Sequence, residues 1–138
     1  MLEIGKNYKR EEIAAELGGS TRGFLPIVKG KVVCVCLREE LNPSAPKIIL
    51  AGSGLHREKP AAVLCKQAGE LPVFVKWENE IDWEYVGRFE VEKFSTNPEE
   101  IKRYDNRKNP TGKISRVIFL KESSKSKSLR LRASAVNN

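Results

Sequence analysis

The stretch Val73–Val91, VFVKWENEIDWEYVGRFEV, decides how this chain is read. Leu71–Trp77 and Trp83–Phe94 are alternating or continuous apolar runs, and the polar Glu78–Asp82 between them predicts a hairpin loop. Both tryptophans of the chain lie here, with Tyr85, Phe74 and Phe89. Trp77, Trp83 and Tyr85 are interleaved with Lys76, Glu78, Glu80, Asp82, Glu84 and Arg88. That mixture suits a pocket for a flat ring, with π-faces for stacking and polar groups to read an edge. It equally suits a half-exposed hairpin. On a regular strand Trp83, Tyr85, Phe89 and Val91 share one face, and that face then belongs to the core.

Outward from the hairpin, Lys9–Leu17 carries Ile13, Ala14 and Leu17 on one face before Gly18-Gly19, a helix with a glycine stop. Lys31–Leu37 reads as a buried strand, Asn42–Pro46 as a turn and Lys47–Ala51 as a short strand. Lys59–Gln67 suits a short helix with proline near its start. Asn97-Pro98-Glu99-Glu100 opens a helix to Tyr104 with an N-cap, an N1 proline and an acidic first turn. Lys113–Lys121 is the last core strand. The connections are too brief for a doubly wound parallel sheet. The expected fold is α+β: a compact, mostly antiparallel β-barrel over residues 1–122 with two to three peripheral helices. Residues 123–138, rich in Ser and Lys, are expected to form a basic, disordered tail.

The length of 138 residues fits one domain that can bury a core without staples. No apolar run approaches a membrane span, and the first residues are charged where an export signal would be apolar. Cys34, Cys36 and Cys65 are expected as reduced thiols, which fits a cytoplasmic protein. The net charge of +7 is unevenly placed. Residues 102–138 hold eleven Lys/Arg against two acids, whereas the first 101 residues are slightly acidic. A basic third on a near-neutral body is the footprint of a polyanion partner.

Catalytic signatures do not emerge. His56, the one histidine, follows Gly52-Ser53-Gly54, but the spacing makes no nucleophile elbow. No phosphate-binding P-loop, dinucleotide fingerprint or metal-binding acid cluster is recognisable. The chain is therefore expected to bind rather than catalyse, with no metal and no cofactor. Three loops set small residues beside cations: Ser20–Gly23 with Arg22, Ser53–Arg57 with His56 and Arg57, and Asn106–Asn109 with Arg107 and Lys108. Glycine lets a backbone approach a phosphate, and hydroxyls with cations donate to its oxygens.

The order Ile-Leu-Ala-Gly-Ser-Gly (49–54), Leu-Pro-Val-Phe-Val-Lys (71–76) and Trp-Glu-Tyr-Val-Gly-Arg-Phe-Glu-Val (83–91) resembles the SRA-like, YDG-type readers of modified DNA in the PUA-like superfamily. Such domains occur fused to nucleases in modification-dependent restriction systems. The resemblance implies a curved barrel that takes a flipped, modified base of duplex DNA into an aromatic cavity, its loops holding the backbone. It makes Trp83 and Tyr85, then Trp77, the stacking candidates and Asp82 the edge reader. Arg22, Arg57 and Lys59 become phosphate contacts, with Ser53, His56, Arg107 and Lys108 on the same rim. No nuclease follows in this chain, so cleavage calls for a partner or fused nuclease. Two rival readings are an RNA-binding PUA- or ASCH-like module and a protein-interaction adaptor, whose binding would respond little to salt.

Overall fold

The computed structural model describes residues 1–136. In chain order, β1 (Asn7–Tyr8) leads into α1 (Arg10–Leu17), and β2 (Ile27–Val28) pairs with β3 (Lys31–Val32) as a small separate hairpin. There follow β4 (Val35–Arg38), β5 (Ile48–Gly52), α2 (Leu55–Lys66), β6 (Leu71–Lys76) and β7 (Trp83–Ser95). The chain ends through α3 (Pro98–Tyr104), β8 (Ile114–Glu122) and α4 (Ser124–Val136). The expected hairpin is the β6–β7 pair at the middle of a six-stranded sheet of order β4-β6-β7-β8-β5, with β1 beside β7. The sheet is mixed: β4 runs parallel to β6, and every other pair in it is antiparallel. The α+β class and the mostly antiparallel sheet are as expected. A closed barrel is not formed, because no ladder joins the outer strands β4 and β5.

Alternation sorts the apolar side chains into two cores, one on each face of the sheet. Val35 and Leu37 of β4, Ile49 and Ala51 of β5, Val73 of β6, and Ile118 and Leu120 pack with Ala61 and Leu64 of α2. The intervening Cys36 and Phe74 face the other way, joining Tyr8, Ile13 of α1, Cys34, Trp83 and Tyr85. Both faces of β6 are therefore buried, which is why LPVFV is continuously apolar rather than alternating.

The expectation that Trp83, Tyr85, Phe89 and Val91 share a face fails at Gly87. Val73 pairs with Gly87 but Phe74 with Tyr85, so Val86 is an extra residue in β7. This β-bulge shifts the two-residue phase. Trp83 and Tyr85 enter the α1-side core, and Phe89 enters the α2-side core.

Three more expectations change. Lys31–Leu37 is not one strand: the Val33 N–H donates to the Pro26 carbonyl, and the chain passes from β3 to the main sheet at Val35. The helix expected over Lys59–Gln67 starts earlier, at Leu55. Arg57 and Glu58 N–H groups donate to the Gly54 carbonyl, and Glu58 Oε2 accepts the Gly54 N–H. Pro60 sits inside this helix and removes one backbone donor. Finally, the segment read as a disordered tail forms α4 as far as the described residues reach, giving four helices instead of two to three. Hydroxyls anchor it where apolar residues are scarce. Ser123 Oγ accepts the Ser126 N–H at 3.1 Å, and the buried Ser126 Oγ accepts the Arg88 N–H at 2.9 Å. Arg130 also pairs with Glu122 at 3.1 Å. The α3 N-cap is as read, with Asn97 Oδ1 accepting the Glu99 N–H at 2.9 Å.

Candidate nucleic-acid interface

The two outer strands of the open sheet line one cavity of about 720 Å³. Cys36 and Arg38 border it from β4, Leu50 and Gly52 from β5. Asn42, in the connection between them and 5 % exposed, holds the strands at this spacing. Its Oδ1 accepts the Leu50 N–H at 2.8 Å, and its Nδ2 donates to the Arg38 carbonyl at 3.3 Å. Phe24, whose carbonyl accepts the Cys36 N–H at 2.8 Å, Leu41, Ile81, Trp83 and Ile114 complete the apolar lining.

The polar lining is cationic. Arg38 of β4 and Lys76 of β6 are register partners at the ends of parallel strands. Arg57 with His56 comes from the first turn of α2, Lys113 precedes β8, Arg107 comes from the α3–β8 loop, and Arg10 and Arg22 come from the α1 side. No Asp or Glu lines the cavity. Of these lining cations, only Arg38 (Glu40, 3.4 Å) and Arg107 (Asp105, 2.8 Å) have a carboxylate partner among the described residues. Like charges directly opposite on neighbouring strands are destabilising, so the Arg38–Lys76 juxtaposition is a local cost to the fold.

Arg10 organises the α1 side. Its guanidinium lies 5.2 Å from the Trp83 ring centroid, and it donates to the Gly23 carbonyl at 3.0 Å and the Ser20 carbonyl at 3.2 Å. It thereby ties the 18–26 loop to α1 and sets positive charge over the indole. Its Nε is buried without a protein partner among the described residues. Beneath lie Cys34 and Cys36, free thiols with sulfurs 3.9 Å apart. The hydrogen bond between them holds the Cys34 thiol below its ordinary value and pushes Cys36 well above; burial raises both.

Arg107 shapes the opposite rim. It grips Asp105 with Nε and Nη2, each at 2.8 Å, and donates to the Thr111 and Gly112 carbonyls, closing the loop into a ring. The Arg107 guanidinium holds the Asp105 carboxyl below its ordinary value. A carboxyl lowered by folding contributes stability above its unfolded pKa of about 3.9, and that contribution fades as pH falls through the lower folded value. Asp105→Asn should therefore be less stable than the parent at neutral pH, by about 1 kcal/mol. Urea denaturation at stepped pH checks this: the gap should close on acidification below about pH 4, and a pH-independent gap would contradict it.

Of the residues singled out in the sequence, the cavity gathers Arg22, His56, Arg57, Trp83 and Arg107. The others lie elsewhere. Tyr85 is buried against Phe74, ring centroids 5.3 Å apart. Trp77 is half-buried and donates its indole N–H to Glu84 at 2.9 Å. Asp82 is half-buried and does not line the cavity. Ser53 is half-buried, its N–H donating to the Lys113 carbonyl, while Lys59 is exposed along α2. Lys108 borders a separate groove beside Glu39, Glu40 and Glu78. Sequence reading missed Arg10, Arg38, Asn42 and Lys113 and gave Lys76 no site role. The one available signal was that the buried runs VCVCLR and LPVFVK both end on a cation.

Among the described residues no group of His, Cys, Asp and Glu could hold a metal ion, and no helix is long and apolar enough to cross a membrane. In comparisons with known proteins, no family model, no curated protein and no solved structure matches the chain.

Proposed function

We propose that this chain is a nucleic-acid-binding module whose cavity between β4 and β5 admits one nucleotide taken out of its strand. The observation that carries the reading is a concave site with seven cationic side chains and no carboxylate. Five of the seven have no carboxylate partner among the described residues, and like charges gathered in a cleft focus a strong positive field that a phosphate-bearing polymer relieves. Phe24 and the Arg10 guanidinium, which lies over the largely buried Trp83 ring, supply surfaces for a base. An open sheet whose outer strands meet at one cavity is compatible with a PUA-like barrel whose mouth is the β4–β5 gap. The resemblance to SRA-like readers names the nucleotide as a modified base of duplex DNA, with cleavage left to a partner or fused nuclease. The basic helix α4, with Lys125, Lys127 and Arg132 exposed, supplies a second region of phosphate attraction.

The test is fluorescence anisotropy on unmodified, 5-methylcytosine, 5-hydroxymethylcytosine, glucosylated and N6-methyladenine duplexes against matched RNA, with salt stepped upward. A nucleic-acid module loses affinity steeply with salt, with a log–log slope of about −0.9 per phosphate contacted. Preference for a modified duplex that survives added salt supports base reading. Preference for RNA transfers the site to the RNA-binding reading. Salt-insensitive or absent binding to every probe overturns the proposal.

A further inference from the structure

We infer that the nucleotide held in this cavity carries an extra anionic group of its own, beyond the backbone phosphodiesters, and that Arg38 and Lys76 hold that group. This inference rests on the nucleic-acid reading and deepens it. The chemistry named is a compact oxyanion fixed to a nucleotide. It has two sources, a phosphomonoester at a strand end or an acidic substituent on a base.

The first reason is the donor balance of the lining. A neutral base is recognised by matched donors and acceptors, and an amino group such as cytosine N4 needs a side-chain acceptor, most often Asp or Glu. The cavity has no such carboxylate. Several rim carbonyls already accept one bond within the fold: Gly23 and Ser20 from Arg10, Thr111 and Gly112 from Arg107, and Ser53 from Arg57. The Asn42 carbonyl oxygen accepts from Leu50. The second lone pairs of these oxygens, the Thr21 and Thr111 hydroxyls and His56 are neutral acceptors, and every charged side chain of the lining is a donor.

The second reason is charge count. Glu40 and Asp105 offset Arg38 and Arg107, leaving Arg10, Arg22, Arg57, Lys76 and Lys113 without carboxylate partners among the described residues. A neutral base would displace water from these groups and compensate none of them. Backbone phosphodiesters carry one charge each and stay with the strand. A terminal phosphate carries close to two at neutral pH, on three acceptor oxygens. The third reason is placement. Arg38 and Lys76 are paired in register with like charges adjacent, an arrangement that an oxyanion bridging both would turn from a cost into a contact.

The experiment uses the full chain and five DNA probes of one sequence at fixed salt. They are a capped hairpin without a terminal phosphate, the same hairpin with 5-carboxylcytosine, and an open oligonucleotide with 5′-phosphate or with 5′-hydroxyl. A 3′-phosphate version separates the two ends. The expected result is that one anion-bearing probe binds about ten- to hundredfold tighter than its neutral parent, and that Arg38→Gln/Lys76→Gln erases this difference. Tightening by 5-carboxylcytosine assigns the base substituent, and tightening by a terminal phosphate assigns the strand end. Equal, salt-sensitive binding of all probes overturns the inference while leaving nucleic-acid binding intact. A preference insensitive to the double substitution overturns the assignment to Arg38 and Lys76. No binding by any probe overturns both readings.

Discussion

Arg38→Gln/Lys76→Gln is expected to make the protein more stable and a worse binder at once. The two residues are register partners on neighbouring parallel strands and both line the cavity, Arg38 with only an exposed 3.4 Å contact to Glu40 and Lys76 with no carboxylate partner among the described residues. Glutamine keeps the aliphatic stems and removes the repulsion. Relief of a directly opposed like-charge pair is worth about 0.2–1 kcal/mol, a rise in melting temperature of roughly 1–4 °C for a domain of this size. Exposed ion pairs like Arg38–Glu40 offset little of that. Binding should move the other way. Losing the two charge-assisted contacts to the anionic group predicts an affinity loss of about ten- to hundredfold on the anion-bearing probe. The salt slope should also become shallower by up to about two units. Calorimetry and anisotropy on the same preparation check the pair of signs. Lower stability with unchanged affinity would mean that the two cations serve the fold and that the cavity is not the binding site.

The strands were legible wherever burial leaves a pattern. Leu71–Lys76, Ile48–Gly52 and Ile114–Glu122 were each placed to within a residue or so, because runs such as LPVFV cannot be solvated. The α3 cap was legible because Asn-Pro-Glu-Glu satisfies its first turn locally. The site was less so. Its cations come from six separated segments, and Arg38 and Lys76 meet through a parallel pairing that no local pattern encodes. The rim loops around Arg22, Arg57 and Arg107 carried a visible signal, small residues beside cations, and the cavity draws on all three. The aromatic reading divided at the bulge: Trp83 and Tyr85 belong to the α1-side core and Phe89 to the α2-side core, and of the three only Trp83 also borders the cavity. Helix α4 was illegible for another reason. Composition reports apolar burial, and this helix is fastened by two serine hydroxyls and an ion pair.

The same bulge yields the second large effect, from Gly87→Ala. Gly87 adopts φ +117, a region that side chains with Cβ rarely enter. Any Cβ there would also collide with Ser126 Oγ, with Glu122 Oε2 at 3.6 Å and Ile4 Cδ1 at 3.7 Å close by. The Arg88 backbone beside it is clamped on both sides, its N–H by Ser126 Oγ and its carbonyl by the Ser123 N–H, each at 2.9 Å. A methyl at position 87 must therefore distort the bulge or lift α4 from β7. Backbone strain of about 1–3 kcal/mol and exposure or loss of a buried hydroxyl contact worth about 1–3 kcal/mol place the destabilisation near 2–4 kcal/mol. Urea unfolding measures the total, and hydrogen exchange at α4 amides separates the parts. The steric part should recover when Ser126→Gly removes the hydroxyl, leaving the double variant more stable than the sum of the single losses by about 1 kcal/mol. Strict additivity would mean that strain alone disfavours alanine. A neutral Gly87→Ala would mean that Val86 is not an extra residue in β7. Trp83 and Phe89 would then share a face, and the division of this strand's aromatics between the α1-side and α2-side cores would have no physical basis.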